Sequence, residues 1–270
     1  MAFLGQNYYS LNPYFMDLNK KRIKQRFAGA AETYDAQAVI QHKVADRLLA
    51  MLAQKITLQP ERILEIGCCT GLLTQRLAKR FSNIKTLYVN DLVPEFGPIV
   101  IKRLDGNFDV KFIAGDIEKT VLPNNLDLVI SSSTFHWLGD LSTLFTKLAA
   151  HMAPEGTLAF SIYGRDNLLE LKDITGIGLK YFGFEDLQEQ LGEHFDIVSL
   201  REEHITLDFK EPLDVLYHLR ETGVNSLDST VWNKSRLKDF CKRYRARFAG
   251  QDSLKLTYHP MYYIARKRPS

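Results

Sequence analysis

The fold is decided by the stretch Ile63-Leu64-Glu65-Ile66-Gly67-Cys68-Cys69-Thr70-Gly71. Its apolar half predicts a short buried strand over Arg62 to Gly67, which runs directly into the helical pattern Leu72 to Arg80. Gly67 permits a tight turn and close approach of backbone to ligand, and Gly71 lets the helix pack on its strand. The stretch therefore predicts a strand–turn–helix unit that can receive a small molecule, with a tight turn that binds nothing as the alternative.

Strands and helices alternate on both sides of this unit. The further predicted strands are Lys85 to Asp91, Val110 to Ile113, Leu126 to Ser131 and Gly156 to Tyr163. The further predicted helices are Gln37 to Leu52, Pro98 to Leu104 and Leu141 to Met152. This alternation predicts an α/β fold with a parallel sheet and right-handed crossovers.

The chain after Tyr163 follows a different order. Helical patterns extend to Leu191 and recur at Leu213 to Glu221 and Trp232 to Phe248, whereas Asp196 to Phe209 and Leu254 to Ala265 are extended. Two late strands around a helical insertion predict an antiparallel pair at the sheet edge. Open α/β sheets bind ligands beyond the carboxyl ends of their strands, so segments 1–35 and 164–250 are predicted to cover that edge as a lid.

Length and composition favour one elaborated domain of 270 residues, 45% of them hydrophobic. We divide it into an N-terminal lid segment (1–36), a cofactor-binding core (37–163) and a substrate-side region (164–270). No apolar run is long enough for a membrane span, no signal-peptide order opens the chain, and a charge of +3 is too small to imply nucleic acid. The three cysteines have neither a disulfide framework nor zinc spacing. We predict a cytoplasmic protein with reduced thiols and no metal site.

Acidic residues close the predicted strands at one edge of the sheet. Asp91 lies 24 residues after Gly67, the spacing at which a carboxylate can accept both ribose hydroxyls of an adenosine ligand. Asp116 follows the third strand and can meet an adenine amine, with Ile117 covering the ring. A helix cap at Asp91 and a turn aspartate at Asp116 are the alternatives.

The first loop disfavours a pyrophosphate ligand. A dinucleotide turn requires G-x-G-x-x-G, but Cys69 occupies the middle glycine position. Glu65 repels phosphate and suits the cationic amino end of S-adenosylmethionine. We therefore predict a site for this cofactor that comprises Glu65, Gly67, Cys68, Gly71, Asp91, Leu92, Asp116, Ile117 and Ser131.

These motifs resemble the class I S-adenosylmethionine-dependent methyltransferases over about residues 38 to 163. The rest of the chain resembles one branch of them, the malonyl-[acyl-carrier protein] O-methyltransferases of biotin synthesis (the BioC family). This second resemblance rests on Phe27, Ala30, Ala31, Tyr34, Asp35, Ile40, Gln41, Ala45, Asp46, Leu48, Leu49, Ser131, Phe135 to Trp137, Leu169 to Lys172, His218 to Arg220, Gly223 to Asn225 and Leu256 to Tyr258. Two positions depart from the family pattern: Cys69 replaces a usual glycine, and His136 replaces a common glutamine.

The resemblance implies a Rossmann-like, mostly parallel seven-stranded sheet with an antiparallel edge strand, helices on both faces and a helical lid. It implies methylation of the free carboxylate of a malonyl thioester, with S-adenosylhomocysteine as the second product. Because a carboxylate is ionised at neutral pH, no general base is needed, and alignment and desolvation supply the rate.

Five residues are candidates for the acceptor side. Arg165 and Arg220 can each grip a carboxylate bidentately, and Tyr34 can close over the sulfonium. His136 and Trp137 are expected to shape the acceptor pocket. The alternatives are solvated arginines, a hydrophobic staple at Tyr34 and a packed histidine.

Basic residues cluster near both ends of the chain. The clusters are Lys20, Lys21, Arg22, Lys24 and Arg26, and Lys234, Arg236, Lys238, Lys242, Arg243, Arg245 and Arg247. Charge runs alone indicate solvated helix faces, but the resemblance gives one of them a docking role for an acidic acyl-carrier protein that carries malonyl. Malonyl-coenzyme A is the other possible thioester. A small-molecule O-methyltransferase without a carrier, and a cofactor-binding scaffold without turnover, remain alternatives.

Overall fold

The computed structural model describes residues 19–56, 59–104, 108–179, 181–224, 232–250 and 253–269. Its helices are α1 (Lys20–Gly29), α2 (Tyr34–Gln37), α3 (Val39–Ala53), α4 (Leu72–Arg80), α5 (Phe96–Lys102), α6 (Leu141–His151), α7 (Leu169–Thr175), α8 (Phe184–Gly192), α9 (Pro212–Glu221) and α10 (Lys234–Phe248). Its strands are β1 (Arg62–Ile66), β2 (Thr86–Asp91), β3 (Asp109–Ala114), β4 (Leu126–Ser132), β5 (Met152–Tyr163), β6 (Phe195–Glu202), β7 (Ile205–Phe209), β8 (Leu254–Tyr258) and β9 (Pro260–Lys267). Among the helices in these ranges, none combines the length and apolarity needed to cross a bilayer.

A seven-stranded sheet in the order β3-β2-β1-β4-β5-β9-β6 forms the centre of the fold. Strands β1 to β5 pair in parallel, and β9 runs antiparallel to both of its neighbours, β5 and β6. The predicted mostly parallel sheet is confirmed, but the antiparallel strand lies one place in from the edge. Because β6 is antiparallel to β9, the edge strand itself points the same way as β1 to β5.

Strand register brings the predicted motifs together. Ile66, the last residue of β1, lies between Asn90 of β2 and Ser131 of β4. The residues that follow these three positions therefore emerge side by side at the carboxyl edge of the sheet.

Helix α3 confirms the amphipathic stripe predicted between Gln37 and Leu52. Its apolar residues at four-residue spacing, Ile40, Val44, Leu48 and Leu52, are all completely buried. Their burial packs α3 against the sheet. The chain that precedes α3 crosses the carboxyl edge of the sheet. That preceding chain forms α1 and α2, which the sequence analysis treated only as a lid segment.

The two late extended segments each divide into two strands. The first separates into β6 and β7, and the second into β8 and β9; β7 and β8 then pair in a small sheet of their own. His204 and His259 occupy the two crossing points, where their rings stack with centroids 4.2 Å apart. The prediction of one continuous strand in each segment was therefore wrong, because the residues at each crossing stay extended while they change sheets.

Candidate active site

The turn after β1 fits only a glycine at its first position. Gly67 has a φ of +74°, and a Cβ there would lie 2.1 Å from Oγ1 of Thr134. Gly71 begins α4 at a φ of +92°, where a Cβ would lie 3.2 Å from Val100. Both predicted glycine roles, a tight turn and close helix packing, therefore have a direct geometric basis.

Cys69 takes a left-handed backbone conformation, with a φ of +48°, at the position where the family usually has glycine. Left-handed backbone is unfavourable for a residue with a Cβ, so the surrounding contacts must hold it. One of these is the Cys69 backbone N–H, which donates to Oδ2 of Asp91 at 2.8 Å. The turn thus keeps the glycine-like geometry without the glycine.

Asp91 is buried at the end of β2. Besides Cys69, the backbone N–H of Val93 donates to its other oxygen, Oδ1, at 2.8 Å. Burial raises the pKa of Asp91 to about 6, and these backbone hydrogen bonds partly oppose the shift. Each carboxylate oxygen keeps a second lone pair, so a pair of ligand hydroxyls can still donate to it.

Glu65 is almost completely buried on β1, and neither of its carboxylate oxygens has a hydrogen-bond partner among the described residues. Burial raises its pKa to about 8, although nearby Thr74 groups pull in the opposite direction. A buried carboxylate without a partner is costly, and a cationic group provides the strongest compensation. Glu65 does not line the cavity described below, so its effect on a bound cation acts through the glycine turn beside it.

The cofactor cavity lies beyond the carboxyl ends of β1, β2, β3 and β4. The space it encloses, including its open mouth, is about 670 Å³. Six of the predicted cofactor residues fall at or beside it: Gly67, Asp91, Leu92, Asp116 and Ile117 line it, and Gly71 closes the same turn. Asn90, Cys69, Gly115 and Thr134 also line it and were not assigned to it from the sequence.

Besides Glu65, two further predicted cofactor residues have side chains that do not line this cavity. The Ser131 hydroxyl is buried and donates to the backbone oxygen of Ile66 at 2.9 Å, so it ties β4 to β1. The Cys68 side chain packs into the hydrophobic core. Its contribution to the turn is its backbone N–H, which donates to the oxygen of Asn90 at 3.0 Å. Both residues thus support the turn, and a contact of either one with the cofactor remains a prediction.

Helices α1 and α2 form a roof over the cavity, as the lid prediction requires. Ile23, Phe27 and Tyr34 line it from above, and Lys20 Nζ lies 3.0 Å from Asp116 Oδ1. Burial raises the pKa of Tyr34 well above its usual value, and the neighbouring Cys69 thiol adds to the rise. Tyr34 is therefore a neutral phenol against the first loop.

Asp35 fastens this roof to the cofactor turn. The hydroxyl of Thr70, within the glycine turn, donates to Oδ1 of Asp35 at 2.5 Å. The guanidinium of Arg103, just after α5, donates to Oδ2. From the sequence, Asp35 is only part of the family pattern, because no local signal shows which turn its carboxylate reaches.

Trp137 forms one side of the cavity, with His136 packed behind it. Trp137 lines it and packs edge-on against Phe27, with ring centroids 5.8 Å apart. His136 is buried behind it, 5.1 Å from Trp137 and 5.0 Å from Tyr163 between ring centroids. Burial lowers the pKa of His136 to about 3, so its ring is neutral near pH 7. A neutral, enclosed imidazole agrees with the expected pocket-shaping role.

The two candidate arginines lie away from the cofactor cavity. Arg165 pairs with Asp186 of α8 at 2.8 Å. It lines neither the cofactor cavity nor the apolar cavity that Arg220 borders. Arg220 pairs with its neighbour Glu221 at 2.8 Å and stacks on the ring of Tyr217 at the edge of a second, apolar cavity. Carboxylate binding by either arginine remains a prediction.

The residues present fit S-adenosylmethionine. Gly67 leaves room where any Cβ would collide, Asp91 offers free lone pairs at the end of β2, and Glu65 is a buried carboxyl group beside the turn whose ionised form a bound cation would stabilise. The apolar surfaces of Leu92 and Ile117 flank the place expected for an adenine ring. The cavity thus combines carboxylates with apolar surface, as a cationic nucleoside requires.

Sheet order, glycine turn and buried carboxylates together define a class I S-adenosylmethionine-dependent methyltransferase. A family model described as a methyltransferase domain matches residues 64–160. A solved structure of a putative methyltransferase from Bacillus halodurans is similar in fold, with a TM-score of 0.61, 16% identity, and 82% of this chain and 99% of that chain covered. The N-methyltransferase NodS from Bradyrhizobium japonicum, solved with S-adenosyl-L-homocysteine, is similar at a TM-score of 0.51, 17% identity, and coverage of 88% and 99%.

Sequence similarity narrows the class to one family. A malonyl-[acyl-carrier protein] O-methyltransferase from Prosthecochloris aestuarii is 38% identical over 257 residues, which cover 94% of this chain and 96% of that protein. A protein of the same name from Bacteroides thetaiotaomicron is 34% identical over 261 residues, covering 93% and 99%. The chain belongs to the malonyl-[acyl-carrier protein] O-methyltransferase family.

Proposed function

We propose that this protein methylates the free carboxylate of malonyl bound as a thioester to an acyl-carrier protein, giving the methyl ester. The observation that carries this proposal is the juxtaposition of an S-adenosylmethionine cavity with a dry aromatic wall. Trp137 and Phe27 face the cavity, and the buried histidine behind them is held neutral. Family membership indicates that the methyl acceptor is a malonyl carboxylate. Because this carboxylate is already ionised, the site beside the aromatic wall needs no general base.

The cofactor supplies an electrophilic methyl group on a cationic sulfur. The malonyl carboxylate is already ionised near neutral pH, so the protein does not have to remove a proton. Tyr34, Phe27 and Trp137 exclude water from the carboxylate, which makes it a better nucleophile. Thr70, Asp35 and Arg103 hold the roof in place, so that nucleophile and methyl group can be aligned.

The proposed product has one blocked carboxylate. Masking the charge makes that end of the malonyl group resemble a short acyl chain, which fatty-acid-elongating enzymes can extend. This supports the place in biotin synthesis that the family resemblance implies. Preference for a carrier protein over coenzyme A is part of the proposal.

Methyl transfer to matched acceptors tests the proposal. The protein is incubated with labelled S-adenosylmethionine and with malonyl-carrier protein, malonyl-coenzyme A or free malonate, and label is followed into ester. We expect the carrier substrate to give the highest kcat/KM. Higher activity on free malonate would favour the small-molecule alternative, and tight cofactor binding without any transfer would favour the scaffold.

A further inference from the structure

A second cavity, which we call the insertion groove, opens among α1, α7, α9 and α10. It encloses about 1280 Å³ including its mouth. Its surface is mostly aliphatic, with Leu171, Ile177, Leu213, Leu216, Leu219 and Leu237 among its lining residues. No function described above uses this space.

The charged residues that line the insertion groove are all cationic. They are Arg26 of α1, Lys172 of α7 and Arg220 of α9, and the described lining includes no aspartate or glutamate. Stacking on Tyr217 holds the Arg220 guanidinium at the edge of the groove. An occupant should therefore combine an apolar or amide-rich body with an anionic group.

The inner end of the insertion groove approaches the methyl-transfer site. Asn167 and Tyr181 line that end, where the Asn167 side-chain N–H donates to the Tyr181 hydroxyl at 2.8 Å. The Tyr181 ring lies 6.4 Å from His136, and the His136 ring lies 5.1 Å from Trp137, which lines the cofactor cavity. A thin aromatic layer thus separates the two spaces.

The outer end is flanked by the two basic helices. Helix α1 contributes Arg26 to the groove, and α10 contributes Leu237. Exposed cations continue along both helices, at Lys21 of α1 and at Lys238 and Lys242 of α10. An acidic partner that docks across these helices would cover the groove mouth.

We propose that the insertion groove binds the 4′-phosphopantetheine arm of the carrier protein. The phosphate lies at the cationic edge, the extended amide chain lies along the aliphatic walls, and the thioester end points toward Tyr181 and Trp137. Phosphate suits the guanidinium groups of Arg26 and Arg220 because both can donate paired hydrogen bonds, although Arg220 would have to share its Nε and Nη2 donors with Glu221 or release that pair. The proposal rests on the proposed function, since it assigns the arm that presents malonyl to the same site.

A groove-filling substitution tests it. Leu216→Trp adds bulk to the groove wall, whereas Val121→Trp adds the same side chain at a position that is 86% exposed and lies outside the groove. For each variant, kcat/KM is measured with malonyl-carrier protein and with malonyl-N-acetylcysteamine, which has the thioester but lacks the phosphate-bearing arm. We expect Leu216→Trp to lower the ratio of the two values by about tenfold or more, and Val121→Trp to leave it unchanged. An unchanged ratio in Leu216→Trp would overturn the proposal.

Direct binding separates this proposal from the proposed function. Calorimetry with 4′-phosphopantetheine alone should show binding to the unmodified protein that weakens in Leu216→Trp and in the double variant Arg26→Ala/Arg220→Ala. Pantetheine without its phosphate should bind the double variant and the unmodified protein about equally. If the arm binds in this way but malonyl-carrier protein is not methylated, the groove assignment stands and the proposed reaction fails. If no arm binding is detected while the carrier substrate is methylated, the groove assignment fails alone.

Discussion

The cofactor cavity and the insertion groove are opposite in charge and in construction. Carboxylates outnumber cations in the described lining of the first, where Asp91 and Asp116 accompany Lys20, whereas only cations carry charge in the described lining of the second. The two linings therefore suit ligands of different charge, a cationic methyl donor in the cofactor cavity and, as proposed above, an anionic methyl acceptor in the insertion groove. The difference in charge between the two linings is not visible in the net charge of the chain, which is only +3.

The two regions also differ in what fixes their shape. In the cofactor cavity the decisive atoms belong to the backbone, as in the left-handed turn at Gly67 and the Cys69 amide that donates to Asp91. The insertion groove is shaped by side chains from separate helices. Ligand binding at a site defined by the backbone should be sensitive to a single substitution of a glycine or of a capping residue. Ligand binding in a groove defined by side chains should tolerate conservative substitutions and weaken mainly when a larger side chain is introduced.

The largest effect is expected from Gly67→Ala. A Cβ there would collide with Thr134 at 2.1 Å and would sit on a left-handed backbone, so we expect S-adenosylmethionine affinity to fall about 100-fold or more. Calorimetric titration with the cofactor measures this. Gly192→Ala is the matched control, because no heavy atom lies within 4 Å of the added Cβ. Unchanged affinity in Gly67→Ala would break the backbone-defined description of the cavity.

Glu65→Gln should change how stability depends on pH. In the folded protein without cofactor the pKa of Glu65 is raised to about 8, above its unfolded value near 4.5, so the folded state binds the proton more tightly. Stability should therefore fall as pH rises from about 5 to about 8, and Glu65→Gln should flatten that fall. Denaturant unfolding at several pH values measures it, with Glu155→Gln on the surface as control.

Glu65→Gln should also weaken S-adenosylmethionine binding by about tenfold, because the variant loses the negative charge that balances the cationic cofactor. In the unmodified protein a bound cation favours ionised Glu65, so binding near pH 7 should release a proton. Calorimetry in buffers of different ionisation enthalpy detects this release. Equal proton release by the Gln variant would assign the proton to another group.

A smaller effect is expected from Asp35→Asn, which weakens the ties from the roof to Thr70 and Arg103. Loss of about 1 kcal/mol there should speed cofactor dissociation by about fivefold, while the cavity floor is unchanged. Stopped-flow dissociation measures the rate. Asp46→Asn, which alters an exposed pair with Arg76, should leave it unchanged, and equal rates in both variants would argue against a fastened roof.

The smallest effect is expected from His136→Gln. Because burial lowers the pKa of His136 to about 3, its ring neither gains nor loses a proton between pH 6 and 8, and kcat should stay within about threefold. The pH profile of kcat is the informative measurement. A limb near pH 6.5 that disappears in the Gln variant would show that the imidazole acts as a base.

Short-range patterns predicted the cofactor side well. The strand, glycine turn and helix α4 lie where the stretch Ile63 to Gly71 places them, since each depends on residues within one turn of structure. Asp91 and Asp116 follow from the same rule, because parallel strands bring their carboxyl ends to one edge. Spacing alone does not show which way a side chain points, and the side chains of Ser131 and Cys68 turn out not to line the cavity.

The acceptor side could not be predicted to the same depth. Which carboxylate an arginine meets depends on how separate segments pack, as with Arg165, just after β5, and Asp186 of α8. The split of both late strands at His204 and His259 was missed because a strand that changes sheets keeps its extended pattern. The insertion groove itself has no motif, since its lining residues come from helices joined only by the fold.

Helix α1 belongs to both cavities at once, because Ile23 and Phe27 face the cofactor while Arg26 faces the insertion groove. A carrier protein seated against this helix would hold the roof closed, so we expect the methyl ester to leave before S-adenosylhomocysteine. Product-inhibition kinetics check this order: S-adenosylhomocysteine should compete with S-adenosylmethionine and be noncompetitive against the carrier substrate. The reverse pattern would mean that the roof opens while the carrier is still bound.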